Sequence, residues 1–253
     1  MKFSSISNIG KVRSENQDYY GNLELGDFNF FIVADGMGGY KGGEIASKLA
    51  TKYYIDYIKE AKIGDYDSII DLQEEAIKDA NFKIYELSKS YEEYSNMGTT
   101  VVCACVDYKK KSYHITHIGD SRAYIYSNDK LRLITRDHSL VNDLIDSGSL
   151  TKKEAENFTN KSTITRAVGV SEKLKPESRS YDMNDGDCLL IVTDGLTNEL
   201  TDEEIESIIG LNDSADLISS KLVDLAIKKG GHDNITVTTI LIWGKYGQYN
   251  TRK

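Results

Sequence analysis

The sequence has few of the residues that build disulfide-bonded, zinc-binding or linker-rich proteins. It contains three cysteines, four histidines and a single proline in 253 residues. The cysteines, Cys103, Cys105 and Cys188, are odd in number, lie within apolar runs and never occur in a CxxC spacing. We therefore expect buried free thiols in a reducing compartment, and neither disulfides nor zinc ligands.

Targeting segments and an excess of basic charge are also missing. The first 16 residues contain no apolar segment of the signal-peptide type, and no stretch approaches the roughly 18 apolar residues of a membrane span. The net charge of −9 argues against a nucleic-acid partner, because contact with a phosphate backbone normally needs a basic surface. These absences predict a cytoplasmic protein without a membrane or nucleic-acid partner. Phosphorylated substrates remain possible, because divalent cations at a carboxylate-rich site would reverse the local charge.

The chain shows no internal repeat, low-complexity segment or Pro/Ser-rich linker, which predicts a single domain over residues 1–243 and a polar tail at 244–253. Runs rich in β-branched and aromatic residues predict strands at 27–34, 99–107, 112–118, 122–127, 188–193 and 235–243. Apolar residues at three- to four-residue spacing predict helices at 45–57, 69–87, 139–147, 151–158, 202–209 and 214–229. Because strands and helices cluster and do not alternate strictly, an α+β fold with antiparallel pairing is favoured.

Four aspartates stand where predicted strands end or begin. Asp35 and Asp194 each follow an apolar run and precede a glycine, Asp120 follows the run at 112–118, and Asp233 precedes the last run. A strand that ends in Asp holds a carboxylate on a rigid base, and the following glycine lets a backbone carbonyl approach a cation. Several such ends in one place would form an all-oxygen site suited to Mg²⁺ or Mn²⁺, while the lack of His and Cys there argues against zinc.

Two other interpretations of these residues were weighed. A lone Asp-Gly after a strand is a simple turn about three times in four, by the turn preferences of both residues, but four such positions are harder to explain as turns. The glycine-rich residues 36–43 follow a strand and open a helix, as in a dinucleotide fingerprint. However, Lys41 occupies the position of the third glycine and no GxxxxGK[ST] motif occurs, which excludes a nucleotide site of either kind.

Seven short motifs occur along the chain in a recognisable order. They are RSENQD at 13–18, ADGMGG at 34–39, GTT at 98–100, GDSRAY at 119–124, TRAVG at 165–169, TDGL at 193–196 and GGHDNIT at 230–236. Together they resemble the metal-dependent protein phosphatases, also called protein phosphatase 2C, in their short bacterial form. Each motif alone is weak, whereas the ordered series spans nearly the whole chain. The resemblance implies a central β-sandwich of two mostly antiparallel sheets flanked by helices on both sides, with a flap at about 137–165 beside the active site.

The resemblance also implies a set of metal ligands. Asp35 would bridge two Mn²⁺ or Mg²⁺ ions, with the carbonyl of Gly36 on the first ion. Asp194 and Asp233 would hold the second ion. Asp120 matches the position that, with Asp194, holds a third ion in bacterial relatives.

The implied reaction is hydrolysis of phosphoserine and phosphothreonine on proteins by a water that bridges the two metals. Arg13 would bind the substrate phosphate and Asp18 would position metal-bound waters. Animal relatives carry a histidine, proposed as the general acid, where this chain has Met37. Because Met37 cannot donate a proton, a metal-bound water is our hypothesis for the acid.

The expected partners are phosphorylated proteins, including a bacterial serine/threonine kinase and its substrates, and a monomer is expected. A small phosphoester or a phosphorylated regulator of transcription factors remains an alternative substrate. A catalytically silent phosphoprotein binder is a further alternative, although silent members typically lose metal aspartates that are all present here. His138 is expected to be a cap or surface residue, and His232 to hydrogen-bond within its loop and orient Asp233.

Overall fold

The described residues form two antiparallel sheets. The computed structural model describes residues 1–38, 42–155, 158 and 163–242. In spatial order the first sheet contains β1 (Lys2–Asn8), β11 (Ile235–Leu241), β10 (Cys188–Val192), β7 (Arg122–Ser127) and β8 (Lys130–Leu133). The second contains β2 (Asp18–Leu25), β3 (Phe28–Met37), β5 (Val101–Asp107), β6 (Ser112–Ile118) and β9 (Glu177–Asp182), and the short β4 (Gly98–Thr99) pairs with the end of β3.

Helices cover the outer face of each sheet. Helices α1 (Gly42–Glu60) and α2 (Ile69–Ser90) pack on the second sheet, and α6 (Asp202–Ile209) and α7 (Ala215–Lys229) pack on the first. The shorter α3 (Leu140–Asp146), α4 (Lys152–Ala155) and α5 (Asp194–Thr197) lie in the connections between strands. The predicted α+β fold of two sheets flanked by helices is therefore confirmed.

The run at 30–34 shows why a central strand can be apolar at several consecutive positions. Successive residues of a strand point to opposite faces of its sheet. Phe30 and Ile32 therefore pack under α1 and α2, while Phe31 and Val33 face the first sheet across the sandwich. Both faces of the sheet are covered, so a continuous apolar run replaces the usual alternation.

Several predictions are confirmed at the level of single elements. Each predicted strand and helix corresponds to an observed one, with ends shifted by a few residues, and Ser139 is the N-cap of α3. The three cysteines are buried and free. Among the described helices, none is both long and apolar enough to cross a membrane. Trp243 and the tail at 244–253 lie outside the described residues, as do parts of the predicted flap and of the predicted helix 151–158.

The prediction missed four strands, and all four lie at sheet edges. They are β1, β2, β8 and β9. An edge strand pairs with a neighbouring strand on one side only, and these four contain mostly half-exposed or exposed residues. Their sequences, such as ESRSYD in β9, therefore lack the apolar runs from which strands were predicted.

Replacing Phe31 by alanine should destabilise the sandwich. The side chain of Phe31 is 1% exposed and packs edge-on against Phe3, with ring centroids 5.1 Å apart. Deleting a buried phenyl ring typically costs about 3–5 kcal/mol, and urea unfolding of the two proteins measures this difference. As a control, Phe82→Ala removes a ring that is 55% exposed and should cost no more than about 0.5 kcal/mol. Equal losses for the two variants would contradict the assigned core.

Candidate active site

A cleft of about 480 Å³ opens where strands of the two sheets end. The residues that line it come from both sheets and from the loops between them: Arg13, Ser14, Glu15, Gln17, Asp35, Gly36, Met37, Gly38, Asp120, Ile164, Asp194, Asp233 and Asn234. The structure thus brings six of the seven predicted site residues into one cleft. The seventh, Asp18, is buried at the start of β2, directly opposite Asp35 in the strand register.

The end of β3 is held by the threonines of the GTT motif. The Thr99 hydroxyl and the Thr100 amide both donate hydrogen bonds to the carbonyl of Asp35, at 2.8 and 2.9 Å. The amide of Asp35 donates in turn to the Thr100 hydroxyl. A Cβ on Gly36 would lie 2.0 Å from the carbonyl oxygen of Gly43 at the start of α1. Only glycine therefore allows β3 and α1 to meet this closely.

Asp18 receives two hydroxyl groups on one of its oxygens. Thr193 and Thr236 donate to Asp18 Oδ2 at 2.9 and 2.7 Å, and Thr236 is also within 2.8 Å of the Ser7 hydroxyl. The other oxygen, Asp18 Oδ1, is buried without a hydrogen-bond partner among the described residues. A buried carboxylate oxygen with no partner is costly, so this atom is a natural acceptor for a ligand or water.

Asp194 and Asp233 are brought together by the close approach of two backbone segments. A Cβ on Gly195, at the start of α5, would lie 1.9 Å from the carbonyl oxygen of Asn234. Glycine at this position lets the segment after β10 approach the segment before β11. The Asn198 side chain donates to Asp194 Oδ2 at 3.0 Å, and the Asn234 amide donates to Asp233 Oδ1 at 2.8 Å.

Arg13 lies on the loop between β1 and β2 and is paired with Asp233. Its Nη2 donates to Asp233 Oδ2 at 2.7 Å, and its side chain is 55% exposed. The loop is fixed by Asn234, whose side chain donates to the carbonyls of Ile9 and Glu15 and accepts from the amide of Gln17. The guanidinium is therefore at the cleft, with its remaining N–H groups unused by the described residues.

Asp120 follows a tight turn that depends on His138. Gly119 has a φ of +104°, and a Cβ there would lie 2.5 Å from the Thr100 side chain. The His138 amide donates to the Gly119 carbonyl, and the Gly119 amide donates to His138 Nδ1 at 3.1 Å. The prediction that His138 is a cap or surface residue is wrong. Its side chain is buried, because the imidazole accepts the hydrogen bond of the Gly119 amide in place of water.

The carboxylates repel one another in a setting that excludes water. Burial raises the pKa of Asp18 to about 7, although the hydrogen bonds from Thr236 and Thr193 work against the change. Burial also raises the pKa of Asp35 well above its usual range, and the charges of Asp18 and Asp194 raise it further. The pKa of Asp120 rises to about 7 through burial, with a further contribution from the charge of Asp194. Without cations, this cleft therefore holds protons that exposed carboxylates would release.

The donor set fits hard divalent cations. It consists of carboxylate oxygens and the Gly36 carbonyl, and Asp120 Oδ1 is a second buried oxygen without a partner among the described residues. Oxygen ligands of this kind suit Mg²⁺ and Mn²⁺. The prediction that His232 hydrogen-bonds within its loop and orients Asp233 is wrong. Its Nδ1 lies 2.7 Å from Glu199 Oε1, on the segment after α5, and it does not line the cleft.

A second group of possible ligands, His117, His138 and Glu177, does not form a comparable site. The two imidazole rings are stacked, with an interplanar angle of 14° and centroids 4.7 Å apart. Their nitrogen lone pairs lie in nearly parallel planes and cannot both point at one ion. His117 Nε2 is also 2.9 Å from the Arg136 carbonyl. We conclude that this group supports the Gly119 turn by packing.

The site residues missed from sequence are those that hold the carboxylates in place. They are Thr100, Thr193, Thr236, Asn234 and His138. The first four lie within the seven motifs, and Thr193, Thr236 and Asn234 are within three residues of Asp194 or Asp233.

The repulsion in the cleft predicts a specific pH dependence of stability. The pKa of Asp120 is about 7 when folded and about 3.9 in an unfolded chain. Between these values the unfolded chain has released the proton and the folded protein has not, so this group lowers the free energy of unfolding as pH rises. Asp120→Asn removes the effect. In chelator, the variant should gain stability over the wild type as pH rises from 5 to 7.5, by at least about 1 kcal/mol.

The comparison with the variant is needed because other groups titrate in the same range. Burial lowers the pKa of His138 to about 4, which makes the protein more stable as pH rises from about 4 to about 6.5. Urea unfolding at each pH gives the difference between the two proteins, in which this contribution cancels. Asp185→Asn, at a carboxylate that is 69% exposed, should show no such trend. A constant difference for Asp120→Asn would contradict the assigned burial.

Comparison with known proteins agrees with this geometry. The family described as protein phosphatase 2C matches residues 11–220. A serine/threonine phosphatase stp of Listeria innocua is 35% identical over 237 residues, covering 91% of this chain and 92% of the relative. The solved serine/threonine phosphatase of S. agalactiae is 32% identical with a TM-score of 0.87, covering 96% of this chain and 99% of that one.

A further structural relative contains metal. The catalytic domain of the serine/threonine protein phosphatase PstP, solved with two manganese ions, is 26% identical with a TM-score of 0.80 and covers 95% of this chain and 98% of its own. The family match covers most of the chain, and the Listeria relative exceeds 30% identity over nearly its whole length. The chain therefore belongs to the protein phosphatase 2C family, and it is a protein serine/threonine phosphatase.

Proposed function

We propose that this phosphatase hydrolyses phosphoserine and phosphothreonine on proteins with two divalent cations, Mn²⁺ or Mg²⁺, bound in the cleft. Asp35, the Gly36 carbonyl, Asp194 and Asp233 would hold the two ions, and Asp120 with Asp194 would hold a third. The observation that carries the proposal is the group of buried, mutually repelling carboxylates with unpartnered oxygens. Bound cations would offset this repulsion, and the manganese in the PstP relative supports the choice of metal.

The cations supply the charge that activates water and neutralises the phosphoryl oxygens. The protein's own contribution is to place the reacting groups. Asp18 Oδ2 is fixed by two threonine hydroxyls, so its buried Oδ1 can accept a hydrogen bond from water at a defined position. Water held there is oriented before the substrate arrives, which removes part of the entropic barrier.

Arg13 would bind the phosphate of the substrate. Its exposed guanidinium already lies at the cleft and donates to Asp233 through one nitrogen only. The planar guanidinium can donate two parallel hydrogen bonds to phosphoryl oxygens, and its charge offsets the charge that develops there. The hydrogen bond to Asp233 holds the guanidinium at the cleft wall and fixes its orientation toward a bound phosphate.

Met37 also lines the cleft, at the end of β3. Its thioether cannot donate a proton to the leaving alkoxide. We therefore propose that the leaving group receives its proton from water and not from this side chain. The bacterial relatives are named serine/threonine phosphatases, and we propose that this chain likewise reverses the action of a serine/threonine kinase. The proposed place of the reaction is the cytoplasm.

Phosphate release from a phosphothreonine peptide tests the proposal. Asp194→Asn removes one carboxylate of the cleft while preserving its shape, and chelator removes any cation. Because each cation contributes several kcal/mol to charge stabilisation, we expect Mn²⁺-dependent release by the wild type and a loss of at least about 100-fold in the variant or in chelator.

Asp185→Asn is the matched control, since its carboxylate is exposed and lies outside the cleft. It should retain wild-type activity. Phosphate release that is unaffected by chelator would contradict the metal mechanism. Mn²⁺ binding without release from any phosphopeptide would instead indicate a small phosphoester substrate or a silent phosphoprotein binder.

A further inference from the structure

A second groove adjoins the cleft and has no assigned role. It has a volume of about 740 Å³ and shares the residues Ser14 and Glu15 with the cleft as a common wall. Beyond this wall the groove is lined by Ile9, Tyr19 and Tyr20. The two cavities therefore lie side by side on one surface, with Arg13 in the cleft.

The groove exposes large apolar side chains at a place where a polypeptide could lie. Ile9, Tyr19 and Tyr20 are 39%, 41% and 36% exposed, and Val12, on the same loop, is 65% exposed. A single exposed apolar residue is ordinary, but a group of them beside a binding site indicates a contact surface. Rigid tyrosine rings give large contact area for little loss of conformational entropy.

The two rings stand on either side of a free sheet edge. Within the part of the chain that the structure describes, β2 is the last strand of its sheet and pairs only with β3. Because consecutive strand residues point to opposite faces, Tyr19 projects toward α1, where the Lys48 Nζ lies 5.9 Å from its ring, and Tyr20 projects the other way. The groove thus follows the edge of β2, which suits an extended peptide segment.

The charges of the groove favour substrates that carry apolar, and not acidic, residues next to the phosphorylated residue. Among the described residues its walls contain the carboxylates of Glu15, Asp18 and Glu44 and one cation, Lys48, which is paired with Glu44 at 2.6 Å. A peptide with aspartate or glutamate beside the phosphorylated residue would bring like charges together. The phosphate itself would be held separately, at Arg13.

From these observations we propose that the groove binds the residues that flank the phosphorylated serine or threonine of a protein substrate, and selects apolar or aromatic side chains there. This inference rests on the proposed phosphoprotein substrate. It assigns to Tyr19 and Tyr20 a role in binding that is separate from the chemistry at the aspartates. A small phosphoester, which lacks flanking residues, would not contact the groove.

The test compares three phosphothreonine peptides with p-nitrophenyl phosphate, using the full chain with Mn²⁺. The peptides carry leucine and phenylalanine, glycine and serine, or aspartate and glutamate around the phosphothreonine. For the wild type we expect kcat/KM to be about tenfold higher for the apolar peptide than for the glycine peptide, the size of a modest apolar contact, and lowest for the acidic one.

Tyr19→Ala and Tyr20→Ala should each lower kcat/KM for the apolar peptide by about tenfold. Their kcat/KM for p-nitrophenyl phosphate should stay within about twofold of the wild-type value. Activity on the small ester shows that each variant is folded and binds metal. The control Phe82→Ala removes an exposed ring on α2, away from the groove, and should leave every rate unchanged.

Three results would overturn the inference. The wild type could show no preference among peptides, the tyrosine variants could keep the wild-type preference, or they could lose activity equally on peptide and small ester, which would indicate a structural role. A wild type that hydrolyses p-nitrophenyl phosphate but no phosphopeptide would overturn the proposed protein substrate as well. That outcome is distinct, because in the first three the wild type still hydrolyses phosphopeptides.

Discussion

Repulsion among buried carboxylates is the constraint on which the rest of this structure depends. Four aspartates line the cleft and Asp18 is buried beside it, and burial together with the neighbouring negative charges raises the pKa of Asp18 and of Asp120 to about 7. Such an arrangement opposes folding, because charges removed from water cost free energy unless they are paired. The cost is acceptable in a protein that binds divalent cations at this place, since ligand binding stabilises the folded state. The same repulsion that weakens the metal-free protein would therefore favour the binding of the proposed cations.

The sandwich provides the rigidity that this arrangement needs. Each carboxylate lies at or next to the end of a strand. Side chains hold the backbone of Asp35 and the carboxylates of Asp18 and Asp194 by hydrogen bonds. The Thr100 hydroxyl lies 2.7 Å from that of Ser121 and thereby joins the segment of Asp35 to that of Asp120. Thr193 and Thr236 join the first sheet to Asp18 in the second. Ligands on a rigid base lose little entropy when an ion binds, which favours a preorganised site.

The sequence predicted the central strands, the helices and the cluster of aspartates, because each has a local signal. An apolar run covered on both faces, such as residues 30–34, predicts a strand, and an aspartate at its end predicts a ligand. Two kinds of feature had no such signal. The edge strands β1, β2, β8 and β9 are half-exposed and polar, so their pairing depends on neighbours distant in the chain. The burial of His138 likewise depends on Gly119, which lies 19 residues away and meets it only in the folded protein.

Counting bound ions tests the central claim most directly. Chelator-treated protein is titrated with Mn²⁺, and the free ion is followed by electron paramagnetic resonance, for the wild type and for Asp35→Asn. The account predicts at least two bound ions per wild-type chain and a loss of this binding in the variant, because Asp35 is proposed to hold both ions. It would be contradicted by a wild type that binds no Mn²⁺, or by a variant that binds the same number of ions with the same affinity.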